Sequence, residues 1–117
     1  MAMAYEDFSV TSPPDGALYH CRFRNIMTGI APRHSDSVDV CFLVNGKAVF
    51  VALAHPAFAI FKQRTGRALT DFDSIQMAGL FLKGLLERGE RPEETYVPVS
   101  VDQTLELAQQ VRSVAFA

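Results

Sequence analysis

An α+β fold in one domain is what this sequence predicts: an antiparallel sheet of four to five strands with about three helices, in the order ββββααβα. Three observations carry the expectation. Residues 38–54, VDVCFLVNGKAVFVALA, are two apolar runs around Asn45-Gly46, a pair that suits a two-residue type I′ hairpin turn. Ahead of them lies strand-like alternation broken by a Pro and Asp-Gly cluster. Behind them the apolar spacing changes from two to three and four, with helix caps at the right places.

The elements follow in order. Tyr5 to Thr11 and Ala17 to Asn25 read as extended and are separated by Ser12-Pro13-Pro14-Asp15-Gly16, a turn signal, so a first hairpin is expected. Within the second run Tyr19, Cys21 and Phe23 alternate with His20, Arg22 and Arg24, giving one dry and one wet face. Ile26 to Ser37, with Gly29 and Pro32, reads as a long connection of the kind that often carries function. The main hairpin then pairs Val44 with Lys47, Phe42 with Val49, Val40 with Val51 and Val38 with Leu53 on one face. Its other face carries Asp39, Cys41, Leu43, Ala48, Phe50 and Ala52.

Pro56 opens a short helix with Phe58, Phe61 and Thr65 on one side, ending near Gly66. His55, the residue before that proline, is biased to extended backbone. Thr70 caps a longer helix, Asp71 to Arg88, with Asp71 and Asp73 favoured in its first turn and Gly89 as a left-handed terminator. Its main stripe is Ile75, Ala78, Leu82, Leu85 and Leu86, while Met77, Leu80 and Phe81 point elsewhere. The charged segment Glu87 to Glu94 reads as a solvated loop. Thr95 to Val99 is a fifth strand that Pro98 confines to an edge or an irregular position. Ser100 and Gln103 have capping-box spacing and open a helix to about Ala115, with Val101, Leu105, Ala108, Val111 and Ala115 on one side.

Length and composition bound the function. The chain of 117 residues makes one domain, 1–117, large enough to bury a core without staples, and 49% hydrophobic with 21% charged residues is ordinary globular composition. A net charge of −2 gives no general attraction to phosphate backbones or anionic membranes. No apolar run reaches a membrane span and the first residues lack signal-peptide character, so the expected location is the cytoplasm, with Cys21 and Cys41 as reduced, buried thiols.

The ribbon 38–54 is apolar on both faces, which requires cover on both. At roughly 1.5 to 3 kcal/mol per large buried side chain, Leu43, Phe50 and their small neighbours represent on the order of 5 kcal/mol. Whole domains have only about 5 to 15 kcal/mol of stability, so that face should not stay wet. Either helices cover both sides or a second copy does. The sequence reading favours a homodimer whose interface contains Cys41, Leu43, Phe50, Met77, Leu80 and Phe81.

Chemical constellations are sparse. Arg33, His34, Ser35 and Asp36 include residue types used in acyl transfer, but adjacent residues do not converge as a triad must, and a polar loop is the plainer reading. His20 and Cys21 point to opposite faces, against a Cys-His nucleophile between them. The three histidines and two cysteines have none of the close paired spacings of a zinc site, so no metal ligands are assigned. No phosphate-cradling glycine motif is present and no cofactor is expected. The basic strand His20, Arg22, Arg24 has Tyr19 and Phe23 on its other side, which removes the stacking platform for bases and disfavours nucleic acid. The expectation is a small, non-enzymatic, homo-oligomeric interaction or regulatory module whose partner is itself, with another protein or a small molecule as further partners. The alternative is a small enzyme or ligand-binding protein using the 26–37 loop, with Arg33, His34 and Asp36 beside a sheet–helix pocket.

Overall fold

The computed structural model describes residues 5–12, 16–29, 37–90 and 96–112. They form β1 (Asp7–Ser12), β2 (Ala17–Gly29), β3 (Ser37–Val44), β4 (Lys47–Ala54), α1 (Pro56–Thr65), α2 (Asp71–Glu87), β5 (Tyr96–Pro98) and α3 (Val101–Arg112), which is the expected α+β order. One five-stranded sheet runs β1-β2-β3-β4-β5. The first four strands pair antiparallel, each with the next in sequence. β5 instead pairs parallel to β4, because two helices intervene and return the chain in the same direction. Pro98 therefore sits on an edge strand, where its missing N–H costs no ladder bond.

The β3–β4 hairpin has the register that its sequence dictates, with Val44 opposite Lys47, Phe42 opposite Val49 and Val38 opposite Leu53. Both turn residues take positive φ, 51° at Asn45 and 86° at Gly46. Asn45 does a second job: its Oδ1 accepts from His20 N–H at 2.8 Å and its Nδ2 donates to the Leu18 carbonyl at 3.3 Å. The turn is thereby tied to β2.

β2 is longer than its alternation suggests. The register slips between Phe23 and Asn25, so Arg24 is the extra residue of a bulge, and the strand continues to Gly29 with Ile26 opposite Val40 and Met27 opposite Asp39. The slip explains why the alternation breaks at Arg24: Arg24 and Asn25 are both exposed, and Ile26 then returns to the core side. Of the connection expected at Ile26 to Ser37, residues 26–29 are thus strand, Ser37 begins β3, and 30–36 lie outside the described residues.

The caps act locally. Thr70 and Asp73 form a reciprocal box on α2, each side chain accepting the other's backbone N–H at 3.1 and 2.9 Å. At the other end Gly89, with φ 80°, closes the helix through Gly89 N–H to Leu86 and Glu90 N–H to Leu85 carbonyls. Ser100 and Gln103 form the corresponding box on α3. His55 departs from its expected extended backbone: it is helical (φ −59°, ψ −38°), its carbonyl accepts from Phe58 N–H at 2.9 Å, and its ring stacks on Phe58 at 5.8 Å. That stacking and hydrogen bond offset the steric preference set by Pro56.

The core lies between one sheet face and the helices. Val40, Phe42, Val51 and Leu53 are fully buried there together with Phe61, Met77, Ala78, Leu82, Leu86 and Ala108. Phe42 anchors it, with Phe8 and Phe23 edge-on at 6.0 and 6.2 Å. α2 packs on the first four strands, α3 on β4 and α2, and α1 on α3. Thr104 locks α3 to the sheet by accepting the Ala54 N–H at 3.1 Å while donating to the Ser100 carbonyl.

Candidate functional site

Two places remain where this fold leaves chemistry unspent. The first is the outer face of the sheet. Side-chain alternation sends Leu18, His20, Arg22 and Met27 of β2, Asp39, Cys41 and Leu43 of β3, Ala48, Phe50 and Ala52 of β4, and Tyr96 and Pro98 of β5 away from the helices. Cys41 and Ala52 are buried within this face, yet neither belongs to the core cluster that the helices share, and Leu43, Ala48 and Phe50 are half-buried. Leu18, Met27 and Tyr96 stay 64%, 49% and 47% exposed. Among the described residues no helix packs on it. The result is a stripe of Tyr96, Phe50, Cys41 and Leu43, bordered by Arg22 and Arg24 on β2 and by the exposed Asp7–His20 contact of 2.6 Å.

The second place is a cavity of about 470 Å³ where Phe72, Asp73, Gln76 and Leu80 of α2 meet Gln110 and Val111 of α3 and Tyr5. Tyr5 is held against α2 by the absence of a side chain at Gly79: a Cβ there would lie 2.7 Å from the Tyr5 Cβ. Gln76 is 2% exposed, and among the described residues neither its Oε1 nor its Nε2 has a hydrogen-bond partner. Each such orphan costs about 1–3 kcal/mol.

These places divide the expected site residues. Cys41, Leu43 and Phe50 come together on the outer face. Met77 does not join them: it is fully buried under α2, on the helix side of the sheet, and has nothing left to offer a partner. Leu80 and Phe81 are half-buried against the same core, so they too lie across the sheet from Leu43 and Phe50. The physical reason is that α2 is enclosed on several sides, by the strands, by α3 and by Tyr5, so side chains off its main stripe are used internally. Arg33, His34 and Asp36 lie outside the described residues.

The thiols are separated by the sheet. Cys21 faces the core opposite Val44 and Phe8, and burial pushes it up to about 11. Cys41 faces the other way and is also raised by burial, an effect that the Arg24 charge and a hydrogen bond from the Val49 backbone oppose. Both are free, and neither has the lowered thiol that a nucleophile needs. Among the described residues no three His, Cys, Asp or Glu side chains gather as metal ligands, and no helix is long and apolar enough to cross a membrane.

The orphan carboxamide at position 76 was not legible in advance, since a glutamine in a helix usually faces water; its place between Ile75 and Met77 in a helix already richly apolar was the only hint. Comparison with protein-family models, curated proteins and solved structures finds no match to this chain.

Proposed function

We propose that the protein is a homo-oligomeric interaction module and that a second copy of the chain docks on the outer sheet face. The observation that carries this reading is the half-buried Leu43–Phe50 stripe with Tyr96 and Met27 exposed beside it. The strands run from three residues in β5 to thirteen in β2, and at about 3.3 Å per residue and about 4.8 Å between strands they give a footprint of roughly 600 Å² before side-chain relief, the same order as the ~800 Å² per partner of a standard interface. Two-fold packing about an axis along the strands lays β3 over its copy and β2 over the partner's β4. Leu43 then meets the partner's apolar centre, and Arg22 and Arg24 reach toward aromatic faces at the Phe50–Tyr96 edge, where a guanidinium is favoured. An axis across the strands would instead stack arginine on arginine. Two free thiols suit a reducing compartment, and the cytoplasm is the location that goes with this reading.

Sedimentation velocity at tens of micromolar is the test. Twice the chain mass of 12.9 kDa is expected for the native protein, and monomer with an unchanged circular dichroism spectrum for Phe50→Asp. A native protein that sediments as monomer across that range defeats the proposal.

A further inference from the structure

The cavity between α2, the end of α3 and Tyr5 has the make-up of a small-molecule site. Its volume of about 470 Å³ lies within the ordinary range for ligand pockets. Its walls are mainly apolar and aromatic, from Tyr5, Phe72, Leu80 and Val111. Its polar groups are few and differ in what they have left to give. The Asp73 carboxylate already accepts the Thr70 N–H in the α2 cap. Gln110 stands exposed at the rim. Gln76, 2% exposed, has both halves of its carboxamide without a partner among the described residues.

We propose that this cavity binds a small, neutral, flat molecule bearing a cis-amide edge, that is, a ring N–H beside a ring C=O as in a lactam. The carboxamide of Gln76 carries an acceptor and a donor side by side in one plane, and a cis-amide edge is its complement, closing two parallel hydrogen bonds at once. Both carboxamide atoms are sealed from solvent in the free protein, so binding requires the side chain to rotate and turn that plane toward the cavity. The rings of Tyr5 and Phe72 supply flat apolar walls for the rest of the molecule. The Asp73 carboxylate in the wall selects against anions. Gly79 belongs to the device as a positioning residue, because it lets Tyr5 approach closely enough to close the cavity on one side.

The experiment uses the full chain labelled with nitrogen-15, with the Gln76 side-chain amide signal assigned by its loss in Gln76→Leu. Titration with 2-pyridone, uracil and hypoxanthine to millimolar concentration is expected to give a saturable shift of that signal with at least one of them. N-methyl-2-pyridone, which keeps the ring but lacks the donor, is expected to bind roughly tenfold or more weakly than 2-pyridone. Absence of a saturable shift with all three lactams, or equal affinity for the N-methyl analogue, overturns the proposal. A second measurement needs no ligand: Gln76→Leu removes two unpaired buried atoms at nearly constant shape, so its Tm should rise by roughly 8 °C or more. A fall in Tm would mean that the carboxamide is already satisfied, which also overturns it.

Discussion

The two faces of this sheet are built from the same strands and almost the same residue types, yet they end in different environments. On the inner side Val40, Phe42, Val51 and Leu53 are fully buried. On the outer side Leu43 and Phe50, one residue along from them, are only half-buried, and Tyr96 and Met27 remain open. Hydrophobicity says that a face wants cover; it does not say who supplies it. The helices supply it once, and among the described residues the second face has no helix against it.

The sharpest way to break this comparison is to truncate one phenylalanine on each face. Phe42→Ala should cost about 3–5 kcal/mol in denaturant unfolding, since it empties a fully buried ring site touched by Phe8 and Phe23. Phe50→Ala, measured at concentrations where the protein is monomeric, should cost only about 1 kcal/mol. Equal costs would mean that both faces are core.

The cysteines give a pH version of the same contrast. Burial raises Cys21 from about 9 to about 11, so the folded protein keeps a proton there that the unfolded chain releases above pH 9. The associated stability is intact below pH about 9 and is lost as the pH climbs to about 11, on the order of 2 kcal/mol. Urea midpoints across that interval should fall more steeply for the native chain than for Cys21→Ala; parallel slopes would show the inner thiol to be solvated.

A smaller effect probes what ties the hairpin to β2. Asn45→Ala should cost about 1–2 kcal/mol, combining the left-handed backbone with two lost hydrogen bonds, whereas Asn45→Gly keeps the backbone and isolates the bonds. Smallest is Gly79→Ala. Better helix propensity, about 1 kcal/mol, works against displacement of Tyr5, so a net loss of about 1 kcal/mol is expected. The Tyr5–Phe8 edge contact, 5.4 Å between centroids, should be lost from the aromatic NOE pattern.

What was legible in the sequence is what short-range chemistry decides. Asn45-Gly46 fixed the hairpin and with it every pair from Val44–Lys47 to Val38–Leu53; Thr70, Gly89, Ser100 and Gln103 marked helix ends because caps are local hydrogen bonds. The bulge at Arg24 was hidden, since one inserted residue flips the alternation and mimics the end of a strand. The parallel pairing of β5 follows from the route of the chain through two helices, not from the residues Tyr96 to Pro98. Of the expected interface, Cys41, Leu43 and Phe50 share a face because strand periodicity is rigid. Met77, Leu80 and Phe81 pack on the helix side of the sheet instead, which the sequence does not show because α3 and Tyr5, distant in sequence, are what enclose that helix. The buried Gln76 was invisible for the same reason.

The most direct test of the outer face is an isotope-filtered NOE experiment on a sample mixing carbon-13-labelled and unlabelled chains. Intermolecular cross-peaks are expected from the Leu43 methyls and the Phe50 ring, with none from Met77, Leu80 or Phe81. Cross-peaks from the α2 residues instead, or none from the sheet at concentrations where a dimer sediments, would contradict the account.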